Sequence, residues 1–226
     1  MRLVKVTAKL ADGRIATTDL ALPLDSILAY SWISKYRPDL MEASKSGIQE
    51  ISHPPLPLAK REANGEWWWA CSFAFGEPLL EQKNYWHKRF DADYAEGYVD
   101  FQGRRGKVDT GAGYFKGYRM PLTVFLVPKL TWYLEGDLRD IWKLLLLISH
   151  IGKKSAQGYG AVSEWTVEEV ELEDDLTLAR PIPDPHGDEI WGIRPPYWEP
   201  KNQARVRWPQ ERRLAINWLR FQEGSA

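Results

Sequence analysis

Apolar residues in this chain change their spacing several times, from every second residue to every third or fourth and back again. In residues 2–10 they alternate with polar residues, which is the period of a half-buried β-strand. In residues 27–36 they recur at helical spacing, after capping candidates in residues 23–26 and before Pro38, which favours the end of a helix. The pattern therefore predicts a strand followed by a helix at the start of the chain.

A hairpin is predicted next, because residues 56–61 and 67–73 flank the pair Asn64-Gly65. Both residues of this pair tolerate the positive φ that a tight hairpin turn requires. Later elements are predicted as strands at residues 122–127 and 130–135, a helix at residues 138–151 and a closing strand at residues 161–172. Strand, helix, hairpin, strand, helix, strand is the order of a ferredoxin-like, or RRM-like, α+β fold.

We expect residues 1–179 to form this ferredoxin-like domain, with a long basic insertion at about 76–119. The insertion is rich in glycine and aromatic residues and has little sustained periodicity, apart from a helical stretch near residues 85–90. Residues 180–226 contain seven prolines and predict a Pro-rich, Trp-containing tail that extends around the body. A short terminal helix is expected after Pro209.

Composition excludes several classes of protein. The apolar fraction of 44% and the charged fraction of 27% are those of a folded globular chain. The most apolar stretch, residues 141–151, is interrupted by Lys143 and His150 and is too short to span a membrane. The charged N-terminal sequence lacks the apolar core of a signal peptide, so we expect a cytoplasmic protein. The single cysteine, Cys71, excludes an internal disulfide bond, and no cofactor or metal site is predicted.

The formal net charge of -1 conceals separate patches of opposite sign. Residues 104–119 contain five Lys or Arg against one Asp, and residues 201–220 contain six against one Glu. Residues 164–175 contain seven acidic residues and no base. The basic patches could hold a polyanion or be ordinary surface charge. The acidic run could be a solvated strand edge, a docking surface for a basic neighbouring subunit, or a repulsive surface that keeps RNA on the other face.

A glycine-rich loop, GKKSAQGYG at residues 152–160, connects the second predicted helix to the closing strand. A phosphate-binding Walker loop connects a strand to a helix and ends in Gly-Lys-Ser/Thr, so the opposite polarity here argues against a nucleoside triphosphate site. The small residues permit close approach of a nucleic-acid backbone, Lys153 and Lys154 suit phosphates, and Tyr159 suits stacking. The alternative is a helix C-cap and turn in which the glycines only relieve strain.

Residues 150–165, HIGKKSAQGYGAVSEW, resemble the glycine-rich loop and following strand of the RAMP superfamily, the ferredoxin-like RNA-binding proteins of CRISPR-Cas systems. Three further segments narrow the resemblance: WHKRFD at 86–91, VDFQGRRGKVDTGAGYFKGYRMPL at 99–122 and WYLEGD at 132–137. In this order they resemble the RAMP subunit of type IV CRISPR effector complexes that is similar to the subunit capping the crRNA 5′ handle. The resemblance covers about residues 1–183.

The resemblance implies a RAMP fold and a non-catalytic subunit of a type IV effector ribonucleoprotein. Such a subunit holds the crRNA 5′ handle and caps the backbone of the complex, in defence against or competition with mobile DNA. The implied partners are crRNA, the neighbouring backbone and other subunits, and target DNA near the flanking motif, with no membrane. Cationic side chains can pair with phosphates, small residues leave their backbone amides accessible to the RNA, and aromatic rings can stack on unpaired bases. The candidate RNA-binding residues are Lys88, Arg89, Arg104, Arg105, Lys107, Thr110, Gly111, Gly113, Lys116, Tyr118, Arg119, His150, Lys153, Lys154, Gln157, Gly158, Tyr159 and Gly160.

Two other functions stay open at this point. Some RAMP proteins cleave pre-crRNA without metal, and His87 could act as base while Lys88 stabilises the pentacoordinate phosphate. A contact or packing role is the simpler one for His87, and His150 suits an RNA contact or a helix C-terminus. The third function is an aromatic-rich interaction module that binds no nucleic acid. Copurified RNA of defined length would support the binding subunit, and turnover of repeat RNA would support the enzyme.

Overall fold

The computed structural model describes residues 2–43, 53–91, 94–95, 97–98, 110–113 and 115–208. Within these residues the chain mixes helices with a larger number of strands, which confirms the prediction of a mixed α and β protein. The helices are α1 (Leu24–Tyr36), α2 (Pro38–Ala43) and α3 (Leu138–Leu145). The strands are β1 (Arg2–Leu10), β2 (Arg14–Ala16), β3 (Lys60–Ala63), β4 (Glu66–Trp69), β5 (Leu80–Lys88), β6 (Tyr118–Leu126), β7 (Lys129–Gly136), β8 (Val162–Glu169), β9 (Ile182–Pro183), β10 (Glu189–Gly192) and β11 (Gln203–Arg207). No helix in the described ranges is long and apolar enough to cross a membrane.

Three strands form a central antiparallel sheet in the order β7, β1, β8. Val6 of β1 lies opposite Trp132 of β7 and Val167 of β8. On the outer side of β7, residues 70–75 extend the sheet through isolated bridges, and the Ser72 amide donates to the Tyr133 carbonyl at 2.8 Å. The order of the segments in space is therefore 70–75, β7, β1, β8.

The core lies between one face of this sheet and the helices α1 and α3. Every second residue of β1 from Val4 to Leu10 is buried, so the predicted alternation is confirmed. Trp132 of β7 is fully buried on the same face. The Ser31 hydroxyl donates to the Leu144 carbonyl at 2.7 Å, which joins the two helices by a buried hydrogen bond.

Helix α3 begins with a capping residue and ends earlier than the sequence predicts. The Asp137 carboxylate accepts a hydrogen bond from the Asp140 amide at 2.9 Å, as an N-cap does. The helix ends at Leu145, not at residue 151. The reason is that the following backbone pairs with the start of β8, since the Val162 amide donates to the Ser149 carbonyl at 2.8 Å.

The segment predicted as an insertion supplies the first strand of a long hairpin. Strand β5 pairs over its whole length with β6, and β2 pairs with the end of β6 that lies nearest the core. The helical stretch predicted near residues 85–90 is therefore wrong, because β5 is a strand up to Lys88. Most side chains on both faces of this hairpin are exposed or half-buried. No apolar alternation marks such a strand in the sequence.

The hairpin predicted at Asn64-Gly65 is confirmed, since β3 and β4 pair residue for residue around this turn. Both turn residues have positive φ, +56° for Asn64 and +80° for Gly65. These values match the tight primed turns that suit the twist of a hairpin.

Residues 180–208 form a small sheet in the order β10, β11, β9 against the body of the protein. This sheet is attached through a buried cluster of Arg180, Asp25 and Tyr197, which we call the Arg180 clamp. Arg180 pairs with Asp25 of α1 at 3.3 Å and donates to the Tyr197 hydroxyl at 2.8 Å. It also donates to two backbone carbonyls at and just after the end of β4, at 3.0 Å each. The predicted terminal helix lies outside the described residues.

Candidate nucleic-acid interface

The glycine-rich loop follows α3 and leads into β8, and the backbone requires two of its glycines. Gly152 has a φ of +84°, and a Cβ atom there would lie 2.7 Å from the Ala16 carbonyl oxygen. Gly160 has a φ of +70°, and a Cβ atom there would lie 1.8 Å from the Ile151 carbonyl oxygen. Both glycines therefore serve close approach of the loop to neighbouring backbone.

This close approach fixes the loop against β2. The Lys153 amide donates to the Ala16 carbonyl at 2.7 Å, and the Gly160 amide donates to the Arg14 carbonyl at 2.8 Å. Because β2 pairs with β6, these bonds hold the loop beside the β5–β6 hairpin. Two segments that are far apart in the sequence thus meet at one surface.

Two aromatic rings lie between two cations on this surface. We call these residues, Lys154, Trp86, Tyr118 and Lys88, the cation–aromatic ladder. The Lys154 ammonium nitrogen lies 3.4 Å from the centre of the Trp86 ring. The centroids of the Trp86 and Tyr118 rings are 5.2 Å apart with an interplanar angle of 62°, an edge-to-face arrangement. The Lys88 ammonium nitrogen lies 5.7 Å from the centre of the Tyr118 ring. The ladder therefore presents positive charge and flat apolar surface side by side.

Strand geometry explains why these residues share a face. Opposed residues of an antiparallel pair lie on one side of the sheet, as do residues two apart in a strand. Lys88 lies opposite Tyr118, and Trp86 is two residues before Lys88. Asn84 continues this face, and its amide nitrogen approaches the Tyr159 hydroxyl at 3.5 Å. The hairpin therefore directs its ladder residues towards the glycine-rich loop.

The cations of this surface differ in what balances their charge. Arg14, whose guanidinium carbon lies 5.5 Å from the centre of the Tyr159 ring, forms an ion pair with Asp12. The Asp12 carboxylate has a lowered pKa, first because it accepts a hydrogen bond from the Arg14 amide. Lys153 donates to the Thr18 hydroxyl at 2.6 Å. Neither loop lysine, Lys153 or Lys154, pairs with a carboxylate of any described residue, so both can take a phosphate partner.

The opposite face of the hairpin carries Tyr85, His87 and Arg119. The Arg119 guanidinium carbon lies 3.5 Å from the centre of the Tyr85 ring, and His87 lies opposite Arg119 in the strand pair. His87 and Lys88 are consecutive strand residues, so their side chains project to opposite faces. They therefore do not converge on one phosphate in the way that a shared catalytic role would require.

The residues predicted from the sequence to bind RNA fall into three groups. The ladder face combines Lys88, Tyr118, Lys154 and Tyr159. Around it, the loop contributes Lys153, Gln157, Gly158 and Gly160, and His150 lies two residues before the loop. The connection between β5 and β6 carries Arg89, Thr110, Gly111, Gly113 and Lys116, and Arg119 lies on the opposite face of the hairpin. Arg104, Arg105 and Lys107 lie outside the described residues.

Sequence reasoning missed Trp86, Asn84 and Arg14. The first two would have been found from spacing, because residues 84, 86 and 88 share a face only if the segment is a strand. The helical interpretation of residues 85–90 concealed this relation. Arg14 precedes the loop by more than a hundred residues and gave no signal of its own.

A large cavity of about 790 Å³ lies elsewhere, between α1 and the C-terminal sheet. Its lining is mostly apolar and aromatic and includes Tyr30, Trp191 and Trp198. The described residues that line this cavity include no Lys or Arg, so they offer a phosphate backbone no cationic side chain. Among the residues that the structure describes, no three His, Cys, Asp or Glu side chains come together to hold a metal ion.

Comparison with known proteins gives one informative match. A family model described as CRISPR type IV associated protein Csf3 matches residues 3–209. The match includes both segments that form the ladder. A comparison with curated proteins gives no match.

Proposed function

The chain belongs to the Csf3 family of CRISPR type IV associated proteins, and from this premise we propose that it is a non-catalytic RNA-binding subunit of a type IV effector ribonucleoprotein. It holds the repeat-derived 5′ handle of the crRNA and caps the backbone of the complex. Its partners are the crRNA, the adjacent backbone subunit and other subunits of the effector, and target DNA near the flanking motif. Target sequence is then selected by pairing with the guide.

The cation–aromatic ladder is the observation that carries this proposal. Proteins that hold single-stranded nucleic acid combine cations that follow the phosphates with aromatic rings on which bases stack. Lys154 and Lys88 supply the cations, and Trp86 and Tyr118 supply the rings. The residues lie on two elements held together by backbone hydrogen bonds, so the surface is formed before the RNA arrives.

The fold that we propose is the ferredoxin-like fold of RAMP proteins. In its support, the order in space is 70–75, β7, β1, β8, and every neighbouring pair is antiparallel. In sequence, α1 lies between β1 and residues 70–75, and α3 lies between β7 and β8. This is the strand, helix, strand, strand, helix, strand order of the ferredoxin-like arrangement.

The acidic run at residues 164–175 is proposed to be solvated surface and not a docking site for a basic subunit. The acidic run at residues 164–175 is balanced in part within the chain, since Glu168 pairs with Lys5, Glu169 with Arg2 and Asp175 with Arg61. These pairs favour a solvated strand surface over a dedicated acidic docking site. A basic neighbour would find fewer free carboxylates there than the sequence suggests.

The proposal is tested by the RNA that the chain retains. The full chain is expressed with its CRISPR array, purified at moderate salt, and the bound nucleic acid is sequenced. We expect RNA of defined length with a repeat-derived 5′ end. Incubation with synthetic repeat RNA, with and without magnesium, should leave the RNA intact, and His87→Ala should not alter its length. If the chain cleaves repeat RNA over many turnovers and His87→Ala abolishes the cleavage, the protein is an endoribonuclease. If the chain retains no RNA, an interaction module is favoured.

A further inference from the structure

One face of the Trp86 ring is occupied by the side chain of Lys154. The ammonium nitrogen is 3.4 Å from the ring centre, which is direct contact with the ring face. Tyr118 meets the same ring edge-to-face and holds its orientation. Trp86 is half-buried in a strand, so its ring is fixed in the plane that Lys154 covers. A base stacked on this face would need the space that Lys154 fills.

Lys154 is directed to this position by its backbone. Its φ of 61° and ψ of 38° are left-handed, a conformation that residues with a Cβ atom rarely adopt. The following residues form a short 3-10 turn from Ser155 to Gln157, which ends at Gly158 with a φ of +83°. The loop therefore holds Lys154 in an unfavourable backbone conformation, and this conformation places its side chain on the face of the Trp86 ring.

We propose that Trp86 is a stacking platform for one unpaired nucleobase, and that Lys154 covers this platform until RNA binds. The inference rests on the proposed function, because it assigns a part to two residues of the same ladder. A phosphate bonds an ammonium group more strongly than a ring face does, since the hydrogen bond joins two full charges. Lys154 moves to a phosphate when RNA arrives, and the base of the same or the next nucleotide takes its place on Trp86.

The ligand of this platform is a single-stranded nucleotide of any sequence. Every base has a π face, so stacking on one ring does not distinguish one base from another. It requires only that the base is not already stacked on its neighbours. A base inside a duplex is already stacked on its neighbours and cannot reach the ring. The platform therefore selects for the unpaired part of a guide RNA.

Two probes of equal charge separate stacking from phosphate contact. The first is a single-stranded oligoadenylate, and the second is an oligomer of the same length in which every base is removed and the ribose-phosphate chain is kept. Trp86→Ala in the full chain should weaken binding of the oligoadenylate by about 5- to 150-fold, as loss of one stacked base does. The same variant should leave binding of the abasic oligomer unchanged. Lys154→Ala should weaken both, because it removes a phosphate contact.

Two variants control for the fold and for aromatic surface in general. Trp86→Phe keeps a ring and should retain most of the affinity for the oligoadenylate. Trp198→Ala removes an exposed tryptophan of the C-terminal segment and should change neither probe. Equal loss of both probes in Trp86→Ala would overturn the platform, since Trp86 would then only hold Lys154 in place. A natural chain that binds neither probe would also overturn the inference. Neither result overturns the proposed function, which is decided by the RNA that the chain retains.

Discussion

At the scale of single residues, Lys154 makes two opposing contributions of similar size to the free energy of the loop. A left-handed conformation costs a residue with a Cβ atom roughly 1–2 kcal/mol. A cation on a tryptophan face returns about 0.5–2 kcal/mol, depending on how far water is excluded. Only the cation–π contact is lost when the ammonium group leaves the ring, so a phosphate of modest affinity is enough to move the side chain.

Removal of the loop lysines should reduce the salt dependence of RNA binding. Each phosphate contact on a single strand contributes about 0.7 to the slope of log K against log salt, so Lys153→Ala with Lys154→Ala should lower it by about 1.4. The fold should be unaffected, since the loop is held through backbone atoms of residues 153 and 160. Salt titrations by fluorescence anisotropy measure the slope. The control double variant Lys35→Ala with Lys143→Ala, on the two core helices, should leave the slope unchanged. If the loop variant and the control variant give the same slope, the loop is not part of the RNA-binding site.

His53 should make the protein less stable as the pH falls below neutral. Burial lowers the pKa of this imidazole, with smaller opposition from a hydrogen bond to the Pro195 carbonyl at 2.9 Å. The folded state therefore prefers neutral His53 and binds fewer protons than the unfolded state. Its contribution to stability is complete above the unfolded pKa of about 6.5 and is lost as the pH falls from there through the lower folded pKa.

Urea unfolding at a series of pH values tests this assignment to His53. Between pH 8 and pH 5 the midpoint of the natural chain should fall further than that of His53→Gln, which cannot gain the proton. Parallel curves for the two proteins would show that other groups determine the acid response.

At the scale of secondary-structure elements, the Arg180 clamp is what connects the C-terminal sheet to α1. Arg180 and Asp25 are fully buried, and burial raises the pKa of the Tyr197 hydroxyl, which keeps it protonated as a donor to Asp25. The Arg180 Nε has no hydrogen-bond partner among the described residues. The clamp is therefore an incompletely satisfied buried ion pair, whose individual members cannot be removed without leaving a charge behind.

Arg180→Met should lower the free energy of unfolding by about 3–5 kcal/mol, because Asp25 then remains buried without its partner. Combining Arg180→Met with Asp25→Leu should recover part of this loss, since no charge is left unpaired. Arg37→Ala, which breaks an exposed pair with Asp39, should have little effect. Guanidinium unfolding followed by tryptophan fluorescence gives all three values. A loss no larger for Arg180→Met than for Arg37→Ala would contradict the structural role of the clamp.

How far the elements could be predicted depended on whether burial left a pattern in the sequence. Strand β1 and the Asn64-Gly65 turn were predictable, because one buries alternate residues and the other needs positive φ. Strand β5 was not, because its side chains are exposed or half-buried on both faces. The glycine-rich loop was predicted as part of the site, but its neighbour Trp86 was not. Contact between them depends on the pairing of β2 with β6, and no local sequence pattern predicts which distant strands pair.

At the scale of the whole molecule, the described C-terminal segment is packed as part of the body. Phe73 forms edge-to-face contacts with Tyr197 and Trp208, and its amide donates to the Ala179 carbonyl at 3.0 Å. Loss of residues 180–226 would remove the two rings that contact Phe73 and the cation that pairs with Asp25. The division of the chain at residue 179 therefore separates groups that depend on one another.

A chain that ends at residue 179 should accordingly fail to fold cooperatively. We expect it to show no sigmoidal unfolding transition and weak near-ultraviolet circular dichroism, in contrast to the full chain. Supplying residues 180–226 as a separate polypeptide should restore part of the native signal. A transition in the shortened chain equal to that of the full chain would establish residues 1–179 as an independent domain.

The ladder joins residues that the ribosome synthesises at different times. Trp86 and Lys154 are 68 positions apart, and synthesis at about 5–20 residues per second separates them by roughly 3–14 seconds. A nascent chain that carries the hairpin but not yet the loop has rings and cations without the surface that aligns them. We expect such a chain to leave RNA unbound until the glycine-rich loop has been synthesised and can pair with β2.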